Sequence, residues 1–523
     1  MRHAALVPGL LLLALSFSAA WAGGPKKGGG TPATPPPAAP VDPVAALTEE
    51  DINKALEPYF AAAMKGDRDA ALDALIVILD DPAQSVYHGV AYARLADSVR
   101  DLEQPYAALI AAGQAISLDP TRGASQVKPS LKIAGEVHDL AYLEGVFAKN
   151  VGLDVDAETR AELAWLAARG AYADGQLSTA LGILALVGKD NPYYAKGQAL
   201  KGVILNRQGK YSEAMAALLI AESLSSGDPE LQDVVRLNLA RTYYAAENYT
   251  RSIEYYAMVS RASPAWPDAQ FERAWAHFRF NDTNGALGLL QNHVSPFYTE
   301  WYFPEAQLLR TYSLFLMCKF PEASKQIDEF QATWKPVRES LRATLGAMDE
   351  EAAFADARAY VNGEPTKLPG MVLRPYGADE RLAEAIKAVA VADRELEKLN
   401  QRGTSWAKHL APLVKARRDE LVKAEGARVM ASVQAKIDEL GQMISDTEIS
   451  RLDMLNLEKR LYEQAAASGE MAETRKMAQR DVKIRKGYVS WPYEGEYWAD
   501  EVGYYRVNAV AECPQGLTVG GGQ

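Results

Sequence analysis

Small and bulky apolar residues recur at fixed offsets through the middle third of the chain. In each copy a small residue is followed, twelve and sixteen positions later, by a second small residue and then by a bulky apolar one. The copies lie 34 to 38 residues apart and begin at Ala168, Gly202, Ala240, Ala274 and Thr311. A small side chain lets two helices approach, and a small residue four positions before a bulky one places both on one helical face. The pattern therefore predicts successive pairs of packed helices.

Two stretches of this pattern resemble the tetratricopeptide-repeat family. They read GKYSEAMAALLIAES at residues 209–223 and ENYTRSIEYYAMVSRASP at residues 247–264. The resemblance covers residues 160–335, and upstream the register continues without its aromatic residues. Residues 123–158 fit poorly, as either a degenerate hairpin or a break in the array. The resemblance implies an all-α fold in which a solenoid of helical hairpins spans residues 46–345.

The N-terminus has the features of a secretory signal. Arg2 and His3 precede an apolar run at residues 10–15, and an Ala-Trp-Ala cleavage site ends the segment at Ala22. A retained membrane anchor is the alternative, but the apolar run is much shorter than the roughly 20 residues that a span requires. We predict a cleaved signal over residues 1–22 and a periplasmic protein.

A Gly-rich and then Pro-rich stretch follows the signal, and we predict an extended linker over residues 23–45. Removing residues 1–43 leaves 53 basic and 67 acidic residues, a net charge of −14. Because nucleic acids and anionic lipids repel such a charge, the sequence argues against both as partners.

A second helical region is predicted beyond a connecting segment at residues 346–378, which is broken by prolines. Within residues 379–486, apolar residues follow three- and four-residue steps typical of a coiled-coil seam. The seam residues are Leu382, Ile386, Val389, Leu396, Leu399, Val433, Ile437, Leu440 and Ile444. Gly403 and Pro412 are expected to interrupt the first helix, giving two or three antiparallel helices. These helices pack on one another as a hairpin or, alternatively, form a coiled coil with another chain.

The tail at residues 487–523 is rich in aromatic residues set among carboxylates. Its candidate patch residues are Trp491, Tyr493, Tyr497 and Trp498. These rings either clamp the tail onto the helical hairpin or form an exposed patch for protein or glycan. Cys318 and Cys513 either pair, which would tie the tail to the last repeat, or are a buried residue and a free thiol.

Catalytic and metal-binding motifs are missing from the sequence. The six histidines show no metal-ligand spacing, and there is no CxxC pair, nucleophile elbow or phosphate-binding loop. The sequence therefore predicts a protein that is not an enzyme and that has no cofactor and no metal. A cryptic envelope hydrolase is kept as an alternative.

The first helix of each hairpin is expected to line a groove for a peptide or a partner helix. Residues one and four positions after each small residue should point into it. The predicted groove residues are Asn206, Arg241, Tyr244, Trp275, Phe278, Tyr312 and Phe315, with Arg279 at the rim. Aromatic anchors with a few basic and amide groups suit a partner with apolar side chains and a carboxylate. Arg241 is the leading candidate, although the family's full carboxylate clamp is not matched.

These features together predict an exported scaffold that binds envelope proteins through its groove. The architecture resembles periplasmic repeat scaffolds of Gram-negative envelope and gliding-motility machineries. A peptidoglycan-associated factor that uses the aromatic tail is the first alternative.

Overall fold

The computed structural model describes residues 47–150, 152–468 and 493–513. Those residues form helices joined by turns and loops and contain no β-strand, which confirms the predicted all-α fold class. No helix within these three ranges combines the length and the apolar character needed to cross a membrane. The predicted signal and linker lie outside the described residues.

Contacts divide the described chain into two units. The N-terminal unit contains the residues up to Gln208 together with Asp379–Ala427. Its first helices are α1 (Glu49–Ala55), α2 (Glu57–Met64), α3 (Arg68–Leu79), α4 (His88–Arg100), α5 (Pro105–Leu118), α6 (Pro120–Gly123), α7 (Val127–Val137), α8 (Leu140–Lys149), α9 (Ala157–Ala173), α10 (Leu177–Leu184) and α11 (Tyr194–Arg207).

The C-terminal unit contains Gly209–Ala378 and the described residues from Arg428 onward. Its helices are α12 (Tyr211–Leu224), α13 (Pro229–Ala245), α14 (Tyr249–Ala257), α15 (Trp266–Arg279), α16 (Thr283–His293), α17 (Pro304–Leu316), α18 (Phe320–Leu345), α19 (Glu350–Val361) and α20 (Gly370–Leu373). Two more helices follow, α21 (Glu380–Arg402) in the N-terminal unit and α22 (Ser405–Ser468), whose residues from Arg428 belong to the C-terminal unit.

Within each unit, neighbouring helices pack as hairpins that follow the repeat register. The pairs are α2 with α3, α4 with α5, α7 with α8 and α9 with α10 in the N-terminal unit, and α13 with α14, α15 with α16 and α17 with α18 in the C-terminal unit. The second helix of a hairpin also contacts the first helix of the next one, as α14 does with α15. This arrangement is the tetratricopeptide-like solenoid that the sequence predicts.

Every one of these hairpins turns at a residue with positive φ. The turn residues are Gly66, Glu103, His138, Gly175, Glu247, Asn281 and Cys318, with φ between 57° and 75°. Several lie seven positions after the small residue of their copy, as Gly175 does after Ala168. His138 occupies the turn between α7 and α8, so the described part of residues 123–158 contains a degenerate hairpin.

In the N-terminal unit, α21 and the first part of α22 pack on the repeats. The Glu395 carboxylate accepts hydrogen bonds from the backbone N–H groups of Tyr106 at 2.8 Å and Ala107 at 2.7 Å, in the first turn of α5. Arg417 on α22 donates to both carboxylate oxygens of Asp139, at 2.9 and 2.8 Å. Helix α21, which carries the buried seam residues Leu382, Val389 and Leu399, thus packs on the repeats at α5 and α7.

The expectation that Pro412 interrupts a helix is wrong. Gly403, with φ of 72°, ends α21, but α22 begins at Ser405 and continues through Pro412. Pro412 and Lys408, whose carbonyl loses its helical partner, are both exposed, so water can satisfy that carbonyl. On the opposite side of the helix, fully buried Trp406 and Val414 anchor it.

Candidate protein-interaction site

The second part of α22 occupies the place of one more repeat helix in the C-terminal unit. The Tyr302 hydroxyl donates to the Lys436 carbonyl at 3.1 Å, and Tyr312 on α17 lies close to Asp446 and Ser450 on α22. Residue numbers increase in the same direction along the two contacting segments, so α22 runs parallel to α17.

Contacts with α18 run in the opposite direction. Arg338 Nε donates to the Ile437 carbonyl at 3.0 Å, whereas Asp328, earlier in α18, pairs with Arg451. Helix α22 therefore runs parallel to α17, the first helix of the last hairpin, and antiparallel to α18, the second. The first helix of a further repeat would have this orientation. Helix α22 thus caps the array, and its predicted seam residue Leu440 is fully buried there.

Two predicted groove residues, Tyr312 and Phe315, pack against this cap. Phe315 lies 6.1 Å from the ring of Phe320 and borders the cluster of Ala323, Ile327 and Met454. Asn206 lies half-buried on α11 in the N-terminal unit. A partner-binding role for these three residues stays a prediction.

Arg241, the leading candidate, has its partner inside the chain. Its Nε and Nη2 atoms donate to the two carboxylate oxygens of Glu272 on α15, at 2.8 and 2.6 Å. Such a two-point contact is among the stronger ion pairs in proteins. Arg241 therefore ties the first helix of one hairpin to the first helix of the next.

The remaining predicted residues form ring contacts along the same row of first helices. Tyr244 meets the ring of Tyr249 edge-on at 5.5 Å, and the guanidinium of Arg279 lies 5.6 Å from that ring. Trp275 meets Phe278 edge-on at 5.7 Å, and both pack beside the buried Leu309 of α17. All four predicted residues are partly exposed.

Sequence reasoning missed the carboxylates that cross this row. Glu272 acts electrostatically on Asp268 and on Glu305, and Glu439 acts on Glu305; we call these four carboxylates the acidic row. A register signal was present for two of them, because Asp268 and Glu305 each lie six positions before the small residue of their copy. Both also lie in the first turn of a helix, where the helix dipole favours negative charge.

Burial raises the pKa of three members of the acidic row, Asp268, Glu305 and Glu439. Burial, followed by the charge of Glu272, raises the pKa of Asp268 to about 6. Burial, followed by the charge of Glu439, raises the pKa of Glu305 to about 7. Asp268 is nevertheless reached by solvent, while Glu305 and Glu439 are half-buried. Arg241 beside Asp268 and Lys436 beside Glu439 offset part of this negative charge, and four carboxylates against two bases still favour a further cation.

The described tail residues 493–513, which we call the tail strap, lie on the last two hairpins. The Asn284 side chain donates to the Ala509 carbonyl and accepts from the Ala509 N–H, both at 3.0 Å. Further along, the Gly503 N–H donates to Asn292 Oδ1 at 2.7 Å. Gly288 is required beneath the strap, because a Cβ atom there would lie 2.8 Å from the Tyr505 carbonyl oxygen.

A disulfide bond joins Cys318 and Cys513, with their Cα atoms 5.1 Å apart. Next to it, the Glu512 N–H donates to the Met317 carbonyl at 2.8 Å, and Lys319 pairs with the Glu512 carboxylate. The C-terminal end of the strap is therefore fixed to the turn between α17 and α18. The alternative in which the tail clamps onto the C-terminal helical hairpin is wrong for the tail strap, because the hydrogen bonds described between the strap and other elements go to the repeats.

The aromatic residues of the strap differ in how far solvent reaches them. Tyr497 is half-buried, and its hydroxyl accepts from Gln291 Nε2 at 2.7 Å. Tyr493, Trp498 and Tyr504 are 51%, 58% and 54% exposed. Trp491, the other predicted patch residue, lies outside the described residues.

No protein-family model matches the chain, and no curated protein matches it. Among solved structures, it is similar to a crystal structure of a tetratricopeptide repeat protein from Parabacteroides merdae ATCC 43184. The two are 15% identical with a TM-score of 0.26, over 54% of this chain and 93% of that chain. A likeness at this level carries no argument, and the tetratricopeptide-like fold assigned above rests on the hairpins and their register.

Proposed function

We propose that this chain is a non-enzymatic scaffold that binds protein partners in a cell-envelope assembly outside the cytoplasm. The observation that carries the proposal is the row of partly exposed aromatic and acidic side chains across the first helices α13, α15 and α17. Stacked hairpins of this kind present their first helices as one extended surface, which suits a segment of another protein.

The charges of this surface define the partner that fits it. The sequence led us to expect a partner that carries a carboxylate for Arg241. Because Arg241 already pairs with Glu272, such a carboxylate would be repelled by the other members of the acidic row. A basic side chain would instead lower the repulsion between Glu305 and Glu439. Trp275 and Tyr244 lie on the same helices and offer rings to a guanidinium or an apolar neighbour. We propose a partner segment that carries Lys or Arg next to apolar residues.

Two features support export. The N-terminus has the pattern of a cleaved signal, and the Cys318–Cys513 bond belongs in an oxidising compartment. Architecture supports the finer proposal of a periplasmic scaffold in a transport or motility assembly. Cell fractionation with N-terminal sequencing tests export, and a mature chain that begins at Gly23 in the periplasm is the expected result.

Charge reversal tests the partner surface. Proteins crosslinked to the chain in intact cells are compared between wild type and the double variant Asp268→Lys with Glu305→Lys. The proposal predicts loss of the dominant adducts, because the variant repels a basic segment. The matched control is Glu213→Lys with Glu230→Lys, which reverses two exposed acids that also lie in the first turns of helices.

Equal adducts in wild type and in the Asp268 and Glu305 variant would exclude the acidic row as the binding surface. Loss of adducts in both variants would show a nonspecific charge effect and would also contradict the proposal. Circular dichroism spectra of all three proteins establish that each chain is folded.

A second function, association with peptidoglycan, is favoured by the exposed rings of the tail strap. Trp498 and Tyr504 are more than half exposed on a segment that hydrogen bonds and a disulfide hold in place, and exposed aromatic rings can stack on sugars. Sedimentation with purified cell-wall sacculi tests this function. Trp498→Ala with Tyr504→Ala should abolish pelleting, and equal pelleting of the variant and wild type would remove the tail strap from consideration.

A further inference from the structure

The capping helix exposes a second apolar stripe on the side that faces away from the repeats. Leu440, Met443 and Met454 form its buried side. On the opposite side Ile449, Leu452, Leu455 and Tyr462 are 53%, 62%, 56% and 69% exposed. Terminal helices of solenoids usually present a polar outer face to water. This cap does not, although it ends the array in the C-terminal unit.

The exposed stripe has the spacing of a coiled-coil seam. Leu452 and Lys459 are seven residues apart, and so are Glu448, Leu455 and Tyr462. The two sets alternate in steps of three and four, as the a and d positions of a heptad do. The seam that the sequence suggested, with Val433 and Ile437, is a different stripe and is buried.

Charges on the seam decide between the two orientations of a helix pair. In a parallel pair each seam position faces its own copy, so Lys459 would face Lys459 and Glu448 would face Glu448. In an antiparallel pair with Leu452 opposite Leu455, each Lys459 faces a Glu448 of the other copy. The same register sets Arg451 against Glu458 at the flanking positions. The parallel pair therefore brings like charges together, whereas the antiparallel pair brings opposite charges together.

Ion pairs within the chain do not block this arrangement. Glu448 pairs with Lys335, Lys459 with Glu463, and Arg451 with Asp328. In each of these pairs at least one side chain is mostly exposed, and such surface pairs are exchanged at little cost.

We propose that this stripe of α22 is a self-association surface. A second copy of the chain packs on it antiparallel, about a twofold axis that passes between Leu452 and Leu455. Each Leu452 meets a Leu455 of the other copy, so the interface is the same patch on both copies. The occupant is a second copy because the seam is complementary in charge to itself, and only when reversed.

Analytical ultracentrifugation of the full chain without its signal tests the proposal over a series that reaches about 100 µM. The expected result is a weight-average mass that rises from one chain toward two. Leu452→Glu with Leu455→Glu should remain monomeric at every concentration. The matched control, Leu219→Glu with Leu224→Glu, changes two exposed leucines of α12 and should associate as wild type does.

Disulfide trapping tests the orientation. Chains carrying Leu452→Cys are mixed with chains carrying Leu455→Cys, and the linked peptides are identified by mass spectrometry. The antiparallel register predicts that the mixed dimer, which links one variant to the other, is at least several-fold more abundant than either self-linked dimer. More efficient linking of Leu452→Cys chains to each other would show a parallel pair and overturn the proposal. A wild type that is monomeric throughout, or a dimer that survives both glutamates, would also overturn it.

Discussion

At the scale of single residues, the turn positions hold the most specific information. Most hairpins turn at a left-handed residue that is glycine, asparagine or a polar residue, but the last one turns at Cys318, with φ of 57°. A side chain with a Cβ atom in this region costs about 1 kcal/mol relative to glycine. The same residue, Cys318, forms the disulfide bond that holds the tail strap.

Two substitutions at this position separate turn strain from the disulfide. Both Cys318→Ser and Cys318→Gly remove the bond, but only glycine relaxes the turn. We expect the glycine variant to be more stable than the serine variant by about 1 kcal/mol in thermal unfolding. Cys513→Ser, which leaves Cys318 in its strained conformation, should match the serine variant. A serine variant as stable as the glycine variant would contradict the role of turn strain.

Glu395 is the residue for which pH dependence is clearest. Burial raises its pKa to about 7, although its bonds from Ala107 and Tyr106 favour the charged form. Because the folded pKa lies above the ordinary value near 4.5, its contribution to stability is complete below about pH 4.5 and is lost as pH rises through about 7. Glu305 and Asp268 have raised pKa values and contribute in the same direction.

We expect Glu395→Gln to reduce the stability difference between pH 5 and pH 8 by about 2 kcal/mol, because it removes the buried charge. Thermal unfolding at both pH values measures this difference. Glu397→Gln, at an exposed position of the same helix, is the control and should leave it unchanged. A pH dependence in the Glu395 variant equal to that of wild type would contradict the assignment.

At the scale of elements, the cap formed by α22 has a buried side and an exposed side on one helix. Leu440→Ala should destabilise the C-terminal unit by about 2–5 kcal/mol, because it leaves a cavity beside the last hairpin. Leu452→Ala changes the same residue type on the exposed side and should alter stability by less than about 0.5 kcal/mol. Thermal unfolding of dilute protein compares them, and equal effects would contradict the placement of the cap.

The tail strap depends on the side chain of Asn284 as well as on the disulfide. Asn284→Ala removes both bonds to Ala509, and we expect a local loss of about 1–3 kcal/mol. Hydrogen exchange should accelerate at Ala509 and in the neighbouring strap residues, while the amides of α14 exchange as in wild type. Unchanged exchange in the strap would show that the disulfide alone holds it.

At the scale of the whole molecule, the sequence predicted the hairpins better than the packing between distant segments. Small residues at fixed spacing define the repeat, but residues 123–158 fit that spacing poorly, so the sequence left open whether they form a degenerate hairpin or a break in the array. The predicted seam around Leu440 correctly indicated that one face of α22 is buried. A period of three and four cannot say whether that face meets another chain or, as here, the repeats.

The candidate site was predicted only in part for the same reason. Register located Arg241, Tyr244 and Trp275 on the first helices, but the pairing of Arg241 with Glu272 joins residues 31 positions apart. Single positions do not reveal such a partner. The acidic row could be recognised in the sequence only by aligning Asp268 with Glu305 in the repeat register. Its negative charge changes the expected partner from one that carries a carboxylate to one that carries Lys or Arg.

The central claim is that partners bind the row of first helices in the C-terminal unit, and site-specific photo-crosslinking in intact cells tests it most directly. A photoreactive residue is placed at Tyr244 or Trp275 on that row, and as controls at Leu219 on a second helix or at Met258, which follows the second helix α14. The account predicts one or two discrete protein adducts from the first pair and none from the second. Adducts only from the second pair, or none from either, would contradict it.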